Sequence, residues 1–344
     1  MESPSRPSRR YSLQREFKDP ERHITKPPTD RTFKAIKLGY RLFDGAYDYQ
    51  NEREAGQGIK RAIDEGLVKR EDIFVVTKLW NNYHRKEHAL AQAKSQNEAW
   101  GLGYIDLYLI HFPIALKYIS PEKIRYPVCR SSTLCHQKNP EANLPQAWWQ
   151  DAEHKSVELE NVPLRETWEA LEATVDAGTA KSIGISNAQA QTLYDLQTYA
   201  RHPVSSLQIE HHPYLVQPTL IALAQKLNIA VTAYSSFGPQ SFKELPPAFS
   251  ARAKDIALLW DVDVVREAAS RVGKTPAQVL LRWATQRGIA VIPKSNNKDR
   301  LAQNLEVTDF DLRDEEIEGI SALDRGLRFN DPGFYLETPI PLFA

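Results

Sequence analysis

Asp44 closes a short apolar run in the stretch GYRLFDGAYDYQNE (39–52), and Tyr49 follows five residues later, just before a helical pattern. A carboxylate at the end of an apolar strand is tolerable only when a cation answers it. Lys78 ends the next apolar run, DIFVVTK (72–78), and supplies that cation, because adjacent strands of a parallel barrel set their C-terminal residues side by side. Buried ion pairs are weak devices for stability, which favours a functional reading of the pair. Tyrosine ordinarily titrates near pKa ~10. An ammonium beside it favours the phenolate, so Lys78 is expected to lower the Tyr49 pKa. His111 ends the third run, IDLYLIH (105–111), and offers a hydrogen bond to a substrate oxygen. Asp44, Tyr49, Lys78 and His111 make a proton-delivery site for a carbonyl, needing neither a nucleophile nor a metal.

The elements that must position these residues follow from the hydrophobic pattern. Seven runs read as strands: 40–46, 72–78, 105–111, 182–187, 206–211, 229–235 and 289–295. Most are continuous rather than alternating, as in a parallel sheet covered on its outer face. Helical spacing fills the intervals at 51–67, 88–102, 164–178, 190–200, 218–228 and 264–288, and Gly66, Gly178 and Gly288 fall where left-handed helix ends are expected. Strict alternation of strand and helix leaves a doubly wound sheet or a (β/α)8 TIM barrel. Asp44, Lys78, His111, Asn187, Glu210 with His211, Ser235 and Lys294 all sit at C-terminal strand ends, where barrels gather their active sites. No G-x-G-x-x-G follows the first run, so the α/β barrel is the expected fold.

The 344 residues hold 44 Lys plus Arg against 44 Asp plus Glu, so no field attracts nucleic acid or a highly charged partner. A small-molecule carbonyl or sugar is the expected partner, without nucleic acid or membrane, and a homodimer is left open. Two cysteines make no disulfide framework, and the N-terminus has charge and proline where a leader peptide needs an apolar core, so a cytoplasmic setting is expected. Residues 1–30 read as a loose, solvated N-terminal arm, and 31–344 as one barrel domain with a long loop insertion at about 114–161. The tail beyond Leu323 is expected to fold over the barrel mouth. His211 and His212 are read as structural rather than as a metal pair, since adjacent strand positions face opposite ways. Cys129, Cys135 and His136 lack a fourth ligand at zinc spacing and read as loop residues, and Trp148 with Trp149 as a loop anchor.

GYRLFDGAYDYQNE, TKLWNNYH, YIDLYLIHFP, IGISN, LQIEHHPYL, TAYSSFGPQSF, GKTPAQVLLRW, GIAVIPKSNN and LRFNDP resemble the successive motifs of the aldo-keto reductases, most closely the fungal xylose reductases. The likeness covers about residues 31–344. It implies that Asp44, Tyr49, Lys78 and His111 form a catalytic tetrad. It further implies hydride transfer from NADPH, with NADH possible, to an aldehyde or open-chain aldose, D-xylose to xylitol leading, with Tyr49 protonating the alkoxide. By the same resemblance Ser186, Asn187 and Gln208 hold the nicotinamide carboxamide, and Tyr234 stacks on its ring. Ser235, Ser236, Phe237 and Gly238 lie along the pyrophosphate, and Glu244 accepts a ribose diol. Lys294, Ser295, Asn296 and Arg300 surround the adenosine 2'-phosphate, with Gln303 and Asn304 near the adenine. Trp80, Phe112 and Asn330 line the sugar pocket. The chain departs from the family in three ways: Ala188 replaces a phenylalanine, no apolar run before TFKAIKLGY matches the family's first strand, and the insertion at about 114–161 interrupts the likeness. The alternative reading is a catalytically impaired barrel that binds NADP without turnover.

Overall fold

The computed structural model describes residues 28–120, 157–243, 245, 247–336 and 339–343. Seven strands pair in chain order into one wholly parallel sheet. They are β1 (Leu42–Asp44), β2 (Phe74–Leu79), β3 (Ile105–Ile110), β4 (Ala180–Ser186), β5 (Ser206–Glu210), β6 (Ala230–Tyr234) and β7 (Ala290–Val291). Five fall inside the apolar runs, while β2 ends one residue past its run, at Leu79, and β4 starts two residues before its run, at Ala180. Among the described residues no strand pairs with the outer edge of β1 or of β7. The sheet nonetheless curls round, because Gln208 of β5 reaches Asp44 of β1 across the interior, and the Tyr40 hydroxyl donates to the carbonyl of Leu301, beyond β7. The architecture is a (β/α)8-type barrel with seven strands described, as the sequence pattern predicts.

Helices cover the outer face: α1 (Pro28–Leu38), α2 (Glu52–Asp64), α3 (Lys86–Trp100), α4 (Leu164–Asp176), α5 (Ala190–Gln197), α6 (Pro218–Lys226), α7 (Asp263–Val272), α8 (Pro276–Thr285), α9 (Lys298–Leu305) and α10 (Asp314–Ser321). Two boundaries correct the sequence reading. The single helical stretch expected over 264–288 is two helices, because Gly273 ends α7 in the left-handed region at φ 68° and Thr275 starts α8 with a capping box to Gln278, followed by Pro276. Helix α1 also begins at Pro28, inside the stretch assigned to the N-terminal arm. Gly66, Gly178 and Gly288 do adopt positive φ, as expected.

The main core lies between sheet and helices, around Trp168, Tyr108, Trp283 and Leu207, while Phe33, Ile36, Ile59, Ile73 and Trp100 pack a second cluster under α1 and α2. Helix α2 can approach α3 closely because Gly56 has no Cβ; one built there would lie 2.0 Å from the Trp100 carbonyl oxygen. Inside the barrel, Val76 of β2 packs with Leu107 and Leu109 of β3. Gly184 of β4 pairs with Leu109 and leaves room for it. The insertion leaves and returns through a short antiparallel pair, with Leu116 opposite Leu159, the Lys117 N–H on the Glu158 carbonyl and the Glu160 N–H on the Ala115 carbonyl. Residues 121–156, including Cys129, Cys135, His136 and Trp148–Trp149, lie outside the described residues, as do most of the N-terminal arm and Glu244. Among the described residues no helix is long and apolar enough to cross a membrane.

Candidate active site

Asp44 ends β1, Lys78 is the penultimate residue of β2, and His111 directly follows β3, so three adjacent strands bring them together at one rim. The Lys78 side chain is fully buried and its Nζ donates to Asp44 Oδ1 at 2.5 Å and to the Gly45 carbonyl at 2.9 Å. The other oxygen of Asp44 accepts from Gln208 Nε2 at 2.7 Å. The carboxylate is thus held from two sides, and the ammonium has little freedom. Burial works against the ammonium, but the charges and hydrogen bonds of Asp44 and Tyr49 outweigh it and hold the Lys78 pKa above its ordinary value.

Tyr49 ends a one-turn 3-10 helix, Tyr47–Tyr49, and is followed by Gln50 in the left-handed region at φ 53°. Its ring lies 5.1 Å from Lys78 Nζ and 6.1 Å from the His111 ring, in a T-shaped contact. The expected lowering of its pKa is corrected here. Burial pushes the phenol up, the Lys78 ammonium pulls it down, and the balance lies above the ordinary tyrosine value. With 47% of the residue exposed at the mouth, contact with water moderates that push. The phenol therefore stays protonated at neutral pH.

His111 is buried, with its pKa lowered well below the ordinary value by desolvation and then by the Lys78 charge, so its imidazole is neutral. Among the described residues its Nδ1 is buried without a hydrogen-bond partner. The tautomer carrying the proton on Nε2 leaves no buried N–H without an acceptor. Trp80 stands edge-on to His111 at 4.9 Å, and Phe112 stacks on the imidazole at 5.3 Å, so two of the three residues expected to line a sugar pocket wall off the histidine.

One group at the rim had no role in the sequence reading. Asp48, next to Tyr49, has its carboxyl pushed up to about 7 by burial, with Lys78 opposing. It stands in the stretch that carries the tyrosine, but the burial that raises its pKa could not be read locally.

The remaining predicted residues form a band beside the rim. The Asn187 amide donates to the His111 carbonyl at 2.9 Å and its oxygen accepts from the Tyr234 hydroxyl at 2.6 Å, while Ser186 Oγ donates to the Gln208 carbonyl at 2.9 Å. Asn187 holds φ 60°, which asparagine tolerates. Ala188 is buried in the main core behind it. Asn330 donates to the Tyr234 hydroxyl at 3.0 Å, and its own oxygen accepts from Tyr335 at 3.2 Å, so the third residue expected to line the sugar pocket also comes to the rim. Beyond β6, Ser235 (φ 52°) and Gly238 (φ 57°) shape a tight turn closed by the Gly238 N–H on the Ser235 carbonyl, with Ser236 buried. Phe237 faces Trp260 at 6.2 Å, a flanking aromatic the motifs did not single out.

Past β7, Asn297 caps α9, its Oδ1 accepting from the N–H groups of Asp299 and Arg300, and the Asn297 N–H donates to Ser295 Oγ. Exposed Lys294, Asn296 and Arg300 surround this helix start, and among the described residues neither cation forms an ion pair. Unpaired cations at a helix N-terminus suit a phosphate dianion. Gln303 is exposed one turn further on, and buried Asn304 hydrogen-bonds Tyr40. No group of three or more His, Cys, Asp or Glu among the described residues could hold a metal ion.

The model of the Aldo/keto reductase family matches residues 28–325. Over 314 residues, covering 91% of each chain, the sequence is 54% identical to a probable NAD(P)H-dependent D-xylose reductase of Emericella nidulans. It is 50% identical over 330 residues to an NAD(P)H-dependent pentose reductase of Pyricularia oryzae, covering 93% of this chain and 94% of that one. The crystal structure of a Bombyx mori aldo-keto reductase in complex with NADP superposes with a TM-score of 0.73 at 32% identity, covering 93% of this chain and 91% of that one. A parallel barrel with an Asp44–Lys78 pair beneath Tyr49, matched along nearly its whole length by these relatives, leaves one conclusion: the chain belongs to the aldo/keto reductase family.

Proposed function

We propose that the protein reduces an aldehyde or open-chain aldose, D-xylose to xylitol first among candidates, using NADPH. The observation that carries the reading is the fully buried Lys78, bonded to Asp44 and set against a phenol at the barrel mouth. The cofactor, when bound, supplies a hydride to the carbonyl carbon. The chain does the rest. Neutral His111 gives the carbonyl oxygen a hydrogen bond from Nε2 and orients it. Tyr49, kept protonated by its raised pKa, passes its proton to that oxygen as negative charge develops there; an alkoxide is a far stronger base than a phenolate, so the transfer runs downhill. Lys78 then faces the new phenolate and stabilises it, while Asp44 and Gln208 keep the ammonium in place.

Ser186, Asn187 and Gln208 would hold the nicotinamide carboxamide, exchanging some of the protein hydrogen bonds they make here, with Tyr234 against the ring. The Ser235–Gly238 turn would follow the pyrophosphate. Lys294 and Arg300, at the start of α9, would take the 2'-phosphate with Ser295 and Asn296, leaving Gln303 and Asn304 for the adenine. Trp80, Phe112 and Asn330 would face the sugar. Stopped-flow mixing with NADPH followed by a steady-state assay tests the proposal. Quenched tryptophan fluorescence together with NADPH consumption on D-xylose or butyraldehyde is the expected result. Quenching without turnover of any aldehyde would instead identify an impaired NADP-binding barrel.

A further inference from the structure

Glu210, the last residue of β5, is fully buried and belongs to no part of the proton-delivery site. Its Oε1 accepts from the Phe329 N–H at 2.9 Å and from His212 Nε2 at 2.9 Å, and its Oε2 accepts from the Asn330 N–H at 2.8 Å. A carboxylate in the interior is costly unless donors surround it. Here two of the three are consecutive peptide groups of the tail. Nearby, Gln217 donates to the Glu210 carbonyl at 2.7 Å and accepts from Arg328 Nη2 at 2.8 Å. The tail segment is thus fastened to the end of β5 directly by the Phe329 and Asn330 peptides and through Gln217 by Arg328, and Asn330 presents its side chain beside the Tyr234 hydroxyl.

We infer that Glu210 is a positioning residue: its carboxylate fixes the backbone of Asn330 so that the Asn330 amide reads a substrate hydroxyl, which makes selection of hydroxylated over plain aldehydes depend on Glu210. This rests on the proposed carbonyl reduction with Asn330 facing the sugar. An amide at position 210 offers one acceptor oxygen and sets an NH2 group against one of the two peptide donors. Glu210→Gln therefore releases the tail locally while keeping shape and volume.

The test compares D-xylose with butyraldehyde, which has no hydroxyl to read. For Glu210→Gln the KM for D-xylose should rise roughly tenfold with kcat nearly unchanged, while both parameters for butyraldehyde and the affinity for NADPH stay at wild-type values. Gln217→Asn tolerates the left-handed φ of 48° at that position but is one methylene too short to make both its bonds. It should shift the D-xylose KM in the same direction by roughly threefold, and it decides the matter should Glu210→Gln not fold. Equal losses on both substrates, or an unchanged D-xylose KM, would overturn the assignment, as would a wild-type chain that reduces butyraldehyde but no pentose. A wild-type chain that reduces neither would instead bring down the reading beneath it.

Discussion

Removing the Tyr49 hydroxyl separates chemistry from binding. Tyr49→Phe keeps the ring against His111 and Lys78, so NADPH should still quench tryptophan fluorescence, while kcat falls by roughly 10³-fold or more. Its neighbour Asp48 makes a second prediction, on stability. Folded Asp48 keeps its proton up to about pH 7, whereas the unfolded chain releases it near the ordinary ~4. Between those values the folded state binds more protons, so this group's contribution to stability falls as pH rises through the window and levels off above it. Asp48→Asn should therefore raise the melting temperature relative to wild type more at pH 8 than at pH 5, as measured by calorimetry; an equal shift at both would mean that the carboxyl is not held protonated. What could be read locally is instructive here. Asp44, Lys78 and His111 stand out because each closes a continuous apolar run. The net direction of the Tyr49 shift could not be foreseen, since the ammonium is visible in the sequence but the amount of water removed from the phenol is not. Glu210 was legible as a strand-end acid, yet its donors at 329 and 330 are remote in sequence.

On the proposed reading, helix α9 is the element that carries cofactor selectivity. Its N-terminus is already capped by Asn297, so backbone N–H groups there are partly satisfied, and side-chain cations must supply most of the attraction for a phosphate. Arg300→Ala should weaken NADPH binding about tenfold and leave NADH binding unchanged, since only NADPH carries the 2'-phosphate. Isothermal titration with both cofactors checks this, and equal weakening of the two would point away from the phosphate. The boundary between α7 and α8 teaches a related lesson. Apolar periodicity runs through it without a break, and only the Gly273, Thr275, Pro276 and Gln278 chemistry marks the stop and restart. Cap chemistry had to outrank periodicity there.

Across the barrel as a unit, alternation of strand and helix was enough to anticipate seven parallel strands in chain order, because each continuous apolar run could satisfy both faces only in a covered parallel sheet. Closure was less legible. It depends on contacts such as Gln208 to Asp44 and Tyr40 to Leu301, which join residues far apart in the chain. Equal numbers of acidic and basic residues also leave neither sign in excess to draw a macromolecular partner, in keeping with a small neutral substrate.

The antiparallel pairing of Leu116 with Leu159 reaches beyond its few hydrogen bonds. Two points of departure sealed together decouple the length of whatever lies between them from the scaffold below. Chain can be spliced in or cut out at this gate for a small entropic charge, about 0.6 kcal/mol for each doubling of loop length. A family that diversifies by trading loops would find here a port where novelty can be tried without renegotiating the fold.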